Sequence, residues 1–333
     1  MMHSLKKIAR TAGAFVALAA AAGVVAGVAA SPAVAADWPT KPITIVAPFT
    51  PGGTTDIVAR AIAAQLQREL GQAVMVDNRP GAGGTLGAAM VARAQPDGYT
   101  LLLANVGHAA APALYKNLPY DFEKDMTQIT TVAVVPNVLI VRKSLPVNNV
   151  KELIAYMKEH HAEATYGSAG IGTTQHLSAE LLKKQASFDA VHVPYKGASP
   201  MMTDIIGGRV TFALDSAASA NAQLAGGNIK ALAVTTAQRT RFLPNVPTLS
   251  ESGVPGYQMS TWYSLAAPRN LAAPIRDRIY QAVVASMKDP AMQSTLQGMA
   301  AEPGGMAPAV LTTFVHAETK RWTTIAAGFS AAD

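Results

Sequence analysis

The chain has 333 residues, half of them apolar and 14% charged, with a formal net charge of +6, seven histidines and no cysteine. Without cysteine there are no disulfides and no thiol chemistry, and with no dense Lys/Arg cluster nothing argues for nucleic acid. Three of the 27 basic residues and none of the 21 acidic ones lie in residues 1–36, so the remainder, 24 basic against 21 acidic, carries only +3.

Lys6, Lys7 and Arg10 precede a weakly apolar run over residues 11–30, and both Ala33-Val34-Ala35 and Val34-Ala35-Ala36 suit a signal peptidase. This pattern predicts a signal peptide over 1–36, cleaved before Ala36 or Asp37, and hence a secreted chain. The alternative is a retained anchor, because the run approaches spanning length and holds a small-xxx-small pattern from Gly23 to Gly27. No later segment has the roughly 20 uninterrupted apolar residues of a span. About 297 residues then remain, enough for two domains.

The strand-like Ile43-Thr44-Ile45-Val46-Ala47 leads into a glycine loop, Phe49-Thr50-Pro51-Gly52-Gly53-Thr54-Thr55. A helix follows over 55–70, where Val58, Ile62, Leu66 and Leu70 recur every four residues, Asp56 can pair with Arg60, and Gly71 suits the stop. A second strand, Ala73-Val74-Met75-Val76, leads into a second loop, Asn78-Arg79-Pro80-Gly81-Ala82-Gly83-Gly84, and a helix over 85–94. Pro96-Asp97-Gly98 turns into a strand over 99–104. Glycine lets backbone approach a ligand, and a helix N-terminus offers unpaired N–H donors with a partial positive charge. Two such ends side by side make a pocket for an anion that needs no catalytic side chain. A small carboxylate is the ligand this predicts.

The pattern then repeats. A strand over 138–141 and a helix over 150–160 precede Ala164-Thr165-Tyr166 and a third loop, Gly167-Ser168-Ala169-Gly170-Ile171-Gly172-Thr173-Thr174, which opens a helix carrying Leu177, Leu181 and Leu182. Strands over 191–193, 210–214 and 230–234, a helix ending near Ile206, proline-rich turns over 243–256 and helices over 274–287 and 308–326 complete the chain. Alternating strands and helices predict an α/β protein with two sheets and a ligand cleft between two α/β lobes. The last helices have no strand-helix unit in the second lobe, so the chain is expected to cross back near residue 255. Lobe 1 is then 37–137 plus 255–333, and lobe 2 is 138–254.

Other chemistries fit poorly. Gly81-Ala82-Gly83 continues to Gly87, which misses the G-x-G-x-x-G dinucleotide spacing, and no Gly-Lys-Ser/Thr phosphate loop, Gly-x-Ser-x-Gly elbow or His-Glu-x-x-His motif occurs. No cofactor, metal or catalytic residue is expected. Asp56 reads as a helix-start residue. His176 is open between a packing role and a cleft contact, and Asp215 between a helix cap and direct or water-bridged ligand contact. Lys196 is open between a solvated lysine and the supply of one positive charge.

Phe49-x-Pro51-Gly52-Gly53-x-x-Asp56, Asn78-Arg79-Pro80-Gly81-Ala82-Gly83-Gly84 and Leu118-Pro119-Tyr120-Asp121 resemble motifs of the Bug-type solute-binding receptors of tripartite tricarboxylate transporters. So do Gly167-Ser168-x-Gly170-x-Gly172 with His176, Val193-Pro194-Tyr195-Lys196-Gly197 and Val246-Pro247-Thr248. The match runs in order through the chain after residue 36. The resemblance implies a type II periplasmic binding fold, a Venus-flytrap whose two lobes close on a carboxylate, and delivery of that carboxylate to membrane permease subunits of a secondary transporter. It places Phe49, Gly53, Thr54 and Thr55 on the first-lobe loop, with Gly81, Ala82 and Gly83 as its partner. Ser168, Gly172, Thr173 and Thr174 face them from the second lobe, with Asp215 nearby, and the Ser168 and Thr173 hydroxyls are expected to donate to the carboxylate. The segment Asn105-Val106-Gly107-His108 departs from the usual pattern and leaves its part in specificity open. A monomer is expected. The rival functions are a sensory module handing its ligand to a membrane kinase and a secreted enzyme using Asp215 or His176 as a base.

Overall fold

A computed structural model describes residues 37–161, 163–326 and 329. The expected signal peptide lies outside the described residues. The fold is carried by a compact unit from Pro39 onward.

The first strand-helix units form β1 (Ile43–Ala47), α1 (Thr54–Leu70), β2 (Val74–Asn78), a 3-10 turn (Ala82–Gly84), α2 (Thr85–Ala92), β3 (Thr100–Asn105) and α3 (Val106–Leu114). Val58, Ile62 and Leu66 of α1 are fully buried, as their spacing of four requires. Gly71 ends the helix at φ 69°, its N–H closing on the Gln67 carbonyl. β1 pairs in parallel with β2 and β3. Leu101, Leu102 and Leu103 of β3 are all buried, the continuous apolar run of a strand covered on both faces.

A long strand, β4 (Met126–Arg142), follows, of which the apolar run at 138–141 is only one end. Its first part, to Pro136, pairs antiparallel with β9 (Ser260–Pro268), and its last part, from Asn137, pairs with β7 (Phe212–Ser216) and β8 (Ile229–Val234). Register shifts against β9 and β8 interrupt the ladder, and such bulges bend and twist a strand. The result is one curled sheet in the order β2-β1-β3-β9-β4-β7-β5-β6, where β5 is Thr165–Ser168 and β6 is Val191–Pro194. The sequence reading missed β9, α3 and the first part of β4.

Helices α4 (Val150–Glu159), α5 (Thr174–Ala186), α6 (Ala198–Ile206) and α7 (Ala217–Ala225) belong to the β5–β8 part. After β9 come α8 (Ala273–Ser286), α9 (Pro290–Gly298), the short β10 (Glu302–Pro303) and α10 (Pro308–Ile325). α8 packs on α1 and α10 on α3, so the C-terminal helices return to the β1–β3 part of the sheet. Asn137 holds the point where β4 changes partners: its Nδ2 donates to the Leu214 carbonyl at 3.2 Å, its Oδ1 accepts from the Thr261 hydroxyl at 2.9 Å, and its N–H donates to Thr235 Oγ1 at 3.1 Å. One buried amide side chain thereby joins β4, β7 and β9.

Candidate functional site

A cavity of about 880 Å³ opens where the three glycine loops meet. Each loop is shaped by its own sequence. Gly52 N–H donates to Asp56 Oδ2 at 3.0 Å, and Asn78 Nδ2 donates both to Asp56 Oδ1 at 3.0 Å and to the Phe49 carbonyl at 3.1 Å, which fastens the first loop to the second. Burial raises the Asp56 pKa, but Arg60, Gly52 N–H and Asn78 outweigh it and leave the carboxyl below its ordinary value. Asp56 is thus an anchor behind the loop, and its pairing with Arg60 at 3.0 Å is present.

The second loop runs through Gly81, Ala82, Gly83 and Gly84 at φ 136°, 45°, 63° and 97°. Four successive positive φ angles suit glycine, with one alanine tolerated. In the third loop, Gly170 N–H donates to Ser168 Oγ at 3.1 Å, Thr173 Oγ1 donates to the Gly170 carbonyl at 2.7 Å, and Gly172 N–H donates to His176 Nδ1 at 3.3 Å.

Three helices reach the cavity without a side-chain cap: α1 behind Gly53, α5 behind Thr173 and α6 behind Gly197. By contrast Asn149 caps α4 and Asp289 caps α9, helices whose starts do not line it. The first N–H groups of a helix have no partner within it, so uncapped ends around a cavity leave donors and a positive field for an anion. Among the described residues no Asp or Glu lines the cavity, and Lys196 is its one charged side chain.

Of the residues expected at the site, Phe49, Gly53, Thr54 and Thr55 line the cavity with Gly81, Ala82 and Gly83 opposite the third-loop pair Thr173 and Thr174. Ser168, Gly172 and Asp215 stand behind the wall. The Ser168 hydroxyl is fully buried and lies 2.6 Å from His192 Nε2. Asp215 Oδ1 accepts from Ser216 N–H at 2.8 Å and from Gln175 Nε2 at 3.2 Å, while the Ser219 hydroxyl donates to Oδ2. Burial raises its pKa against these bonds. Asp215 is not the cap of α7: Ser216 fills that position. Asp215 instead holds Gln175, which lines the cavity.

His176 and His192 stack with centroids 4.4 Å apart, and Tyr166 stacks on His192 at 4.7 Å. This stack, with Tyr166 and His176 buried and His192 half-buried, backs the third loop, and burial lowers both histidines to about 4, aided for His176 by the Lys183 charge and for His192 by His176. His176 therefore packs behind the cleft. In the segment left open, Asn105 caps α3 by accepting from Gly107 N–H at 2.9 Å and also lines the cavity, while His108 Nδ1 accepts from Asn105 N–H at 3.1 Å. Burial lowers His108 to about 4.

Sequence reasoning missed Tyr115, Asn137, Gln175 and the β9 pair Thr261 and Tyr263, all of which line the cavity. The period-two spacing of Thr261 and Tyr263 was a usable signal; Asn137 and Tyr115 had none. The walls already touch: the Thr54 and Ser216 hydroxyls lie 2.9 Å apart, and the Tyr115 hydroxyl donates to the Ile171 carbonyl at 3.3 Å.

Residues 58–329 match the profile of the tripartite tricarboxylate transporter family receptor, TctC. Among solved structures, an R. palustris protein with adipate is 41% identical, with 88% of this chain and 99% of that one covered and a TM-score of 0.83. MatC from Rhodopseudomonas palustris, with bound malate, is 34% identical over 87% of this chain and 100% of that one, at a TM-score of 0.82. The periplasmic binding protein BugD is 36% identical over 86% and 97%, at 0.81. These likenesses make the curled α/β architecture a periplasmic binding protein fold. With its profile match and its Bug relative, the chain belongs to the tripartite tricarboxylate transporter receptor family, whose members are solute-binding receptors and not enzymes.

Proposed function

We propose that the chain is a periplasmic receptor that captures a small organic carboxylate and delivers it, as a monomer, to the membrane permease subunits of a tripartite transporter. Residues 1–36 are its cleaved signal peptide. The observation that carries the reading is the convergence of three uncapped helix starts on a cavity without acidic side chains. Among the described residues no helix is long and apolar enough to cross a membrane, and relatives have been solved with adipate and with malate.

Capture works by hinged closure of two lobes, 37–137 plus 255–333 and 138–254, with the hinge where the chain crosses near Asn137 and Pro255. The carboxylate meets Phe49, Gly53, Thr54 and Thr55 with Gly81, Ala82 and Gly83 on one side. On the other it meets Thr173 and Thr174, with Ser168, Gly172 and Asp215 shaping the wall behind them. A micromolar complex needs about −8 kcal/mol. Helix dipoles supply on the order of 0.3–1 kcal/mol each, so hydrogen bonds to the charged carboxylate, at roughly 1.5–3 kcal/mol each, carry most of it. A thermal-shift screen of the mature chain against dicarboxylates, tricarboxylates, aromatic acids and acidic amino acids tests the reading. Stabilisation by one of these classes is expected. A melting temperature unmoved by every carboxylate would overturn it.

A further inference from the structure

Three side-chain amides line the cavity among the described residues, Asn105, Asn137 and Gln175. Two have their carbonyl oxygens occupied: Asn105 Oδ1 accepts from Gly107 N–H at 2.9 Å, and Asn137 Oδ1 from the Thr261 hydroxyl at 2.9 Å. Gln175 lies in the first turn of α5 and donates from Nε2 to Asp215 Oδ1 at 3.2 Å. Asp215 is fully buried behind the wall, and the same Oδ1 accepts from Ser216 N–H at 2.8 Å. A backbone N–H only donates, so Oδ1 is an acceptor and the Gln175 amide turns its NH2 to it. Gln175 Oε1 is engaged by no hydrogen bond among the described residues and is not sealed in the interior. That leaves it to the cavity, which the half-buried Gln175 lines.

The uncapped helix starts can only donate, and an ionised carboxylate can only accept. A carbonyl oxygen fixed in the same wall is of no use to the carboxylate and is matched by a donor elsewhere on the ligand. We propose that Gln175, positioned by Asp215, accepts a hydrogen bond from a hydroxyl or ammonium on the ligand's carbon chain. The site then prefers a carboxylate that carries such a donor over the same skeleton without it. This rests on the carboxylate reading above and adds one further group to the ligand. Donation from Nε2 to a carboxylate also polarises the amide and makes Oε1 a better acceptor. Asp215 itself touches no ligand: it is a positioning residue, and without its charge the amide is free to turn its NH2 to the cavity.

The test is isothermal titration of the mature chain with acids matched in pairs: succinate with malate in both enantiomers, glutarate with 2-hydroxyglutarate, and propionate with lactate. Aspartate and glutamate, set against succinate and glutarate, separate an ammonium from a hydroxyl. In wild type the member with the donor should bind about two- to tenfold tighter than its plain partner. Q175L should bring that ratio close to one, and D215N should lower it. General damage to the fold weakens both members of a pair alike and leaves the ratio unmoved, so the ratio reads the acceptor. A wild-type ratio near one in every pair that binds, or a ratio unchanged in Q175L, would overturn the role of Gln175 and leave the carboxylate receptor standing. A ratio lost in Q175L but kept in D215N would overturn the positioning by Asp215. A wild-type chain that binds none of these acids would overturn this inference, and the carboxylate reading falls with it only if the wider thermal-shift screen is also silent.

Discussion

The Thr54 and Ser216 hydroxyls meet at 2.9 Å, joining the start of α1 to the start of α7 across the cavity mouth. Thr54 belongs to the first glycine loop and Ser216 to the end of β7, elements brought together only by the curl of the sheet. If closure of the cleft makes this bond, T54V and S216A should each weaken ligand binding severalfold, and their effects should not add. A double-mutant cycle on the dissociation constant should give a coupling of about 0.5–1.5 kcal/mol. S216A also removes the cap of α7, so its melting temperature should fall independently of ligand. Additive effects on affinity would mean the contact takes no part in binding.

Gly83 has no room for a side chain. At φ 63° a Cβ would lie 2.5 Å from the Ile171 carbonyl oxygen and 2.6 Å from the Tyr115 hydroxyl, so it would push the second loop away from the third. G83V should abolish detectable carboxylate binding while the far-ultraviolet circular dichroism stays that of the wild type. Retained affinity in this variant would show that the two loops need not approach.

Ser168 has a different part from the ligand hydroxyl that its motif suggests. With its Oγ 2.6 Å from His192 Nε2 and accepting from Gly170 N–H, S168A leaves two half-buried polar groups short of a partner. Such a loss costs roughly 1–3 kcal/mol, which urea denaturation should register as a lower midpoint with unchanged slope. An unaltered midpoint together with a tenfold weaker ligand would return Ser168 to direct contact.

Stability should depend on three histidines, His108 and His176 buried and His192 half-buried. His108, His176 and His192 are each lowered to about 4, chiefly by burial. Between pH 4 and the ordinary histidine value of about 6.5 the unfolded chain therefore binds more protons than the folded one, and stability rises with pH across this window. Unfolding free energy should be level above about pH 7.5 and fall by roughly 3 kcal/mol or more towards pH 4. Affinity of the folded chain should hold through this window and fall only near pH 4, where Nδ1 of His176 becomes protonated and cannot accept from Gly172 N–H. Denaturation midpoints that stay level from pH 7 to 4.5 would rule this out.

Local sequence determined the repeated unit of strand, glycine loop and helix, because its signals act within a few residues. The four-residue spacing of Val58, Ile62 and Leu66 builds one buried helix face, and the run from Gly81 to Gly84 supplies positive φ angles. What the same residues could not reveal is where side chains point once distant segments meet. The first part of β4 carries Gln128, Thr130 and Thr131, all buried, and reads as polar until β9 pairs with it and the Thr130 hydroxyl finds the Met306 carbonyl at 2.8 Å. Ser168 ends β5 and Asp215 is next to last in β7, yet His192 and Gln175, from other elements, claim their polar atoms. Pairing over such separations satisfies buried polar groups only in the folded chain. The glycine loops could therefore be placed from the sequence, whereas the division between wall and backing of the cavity was decided by the tertiary structure.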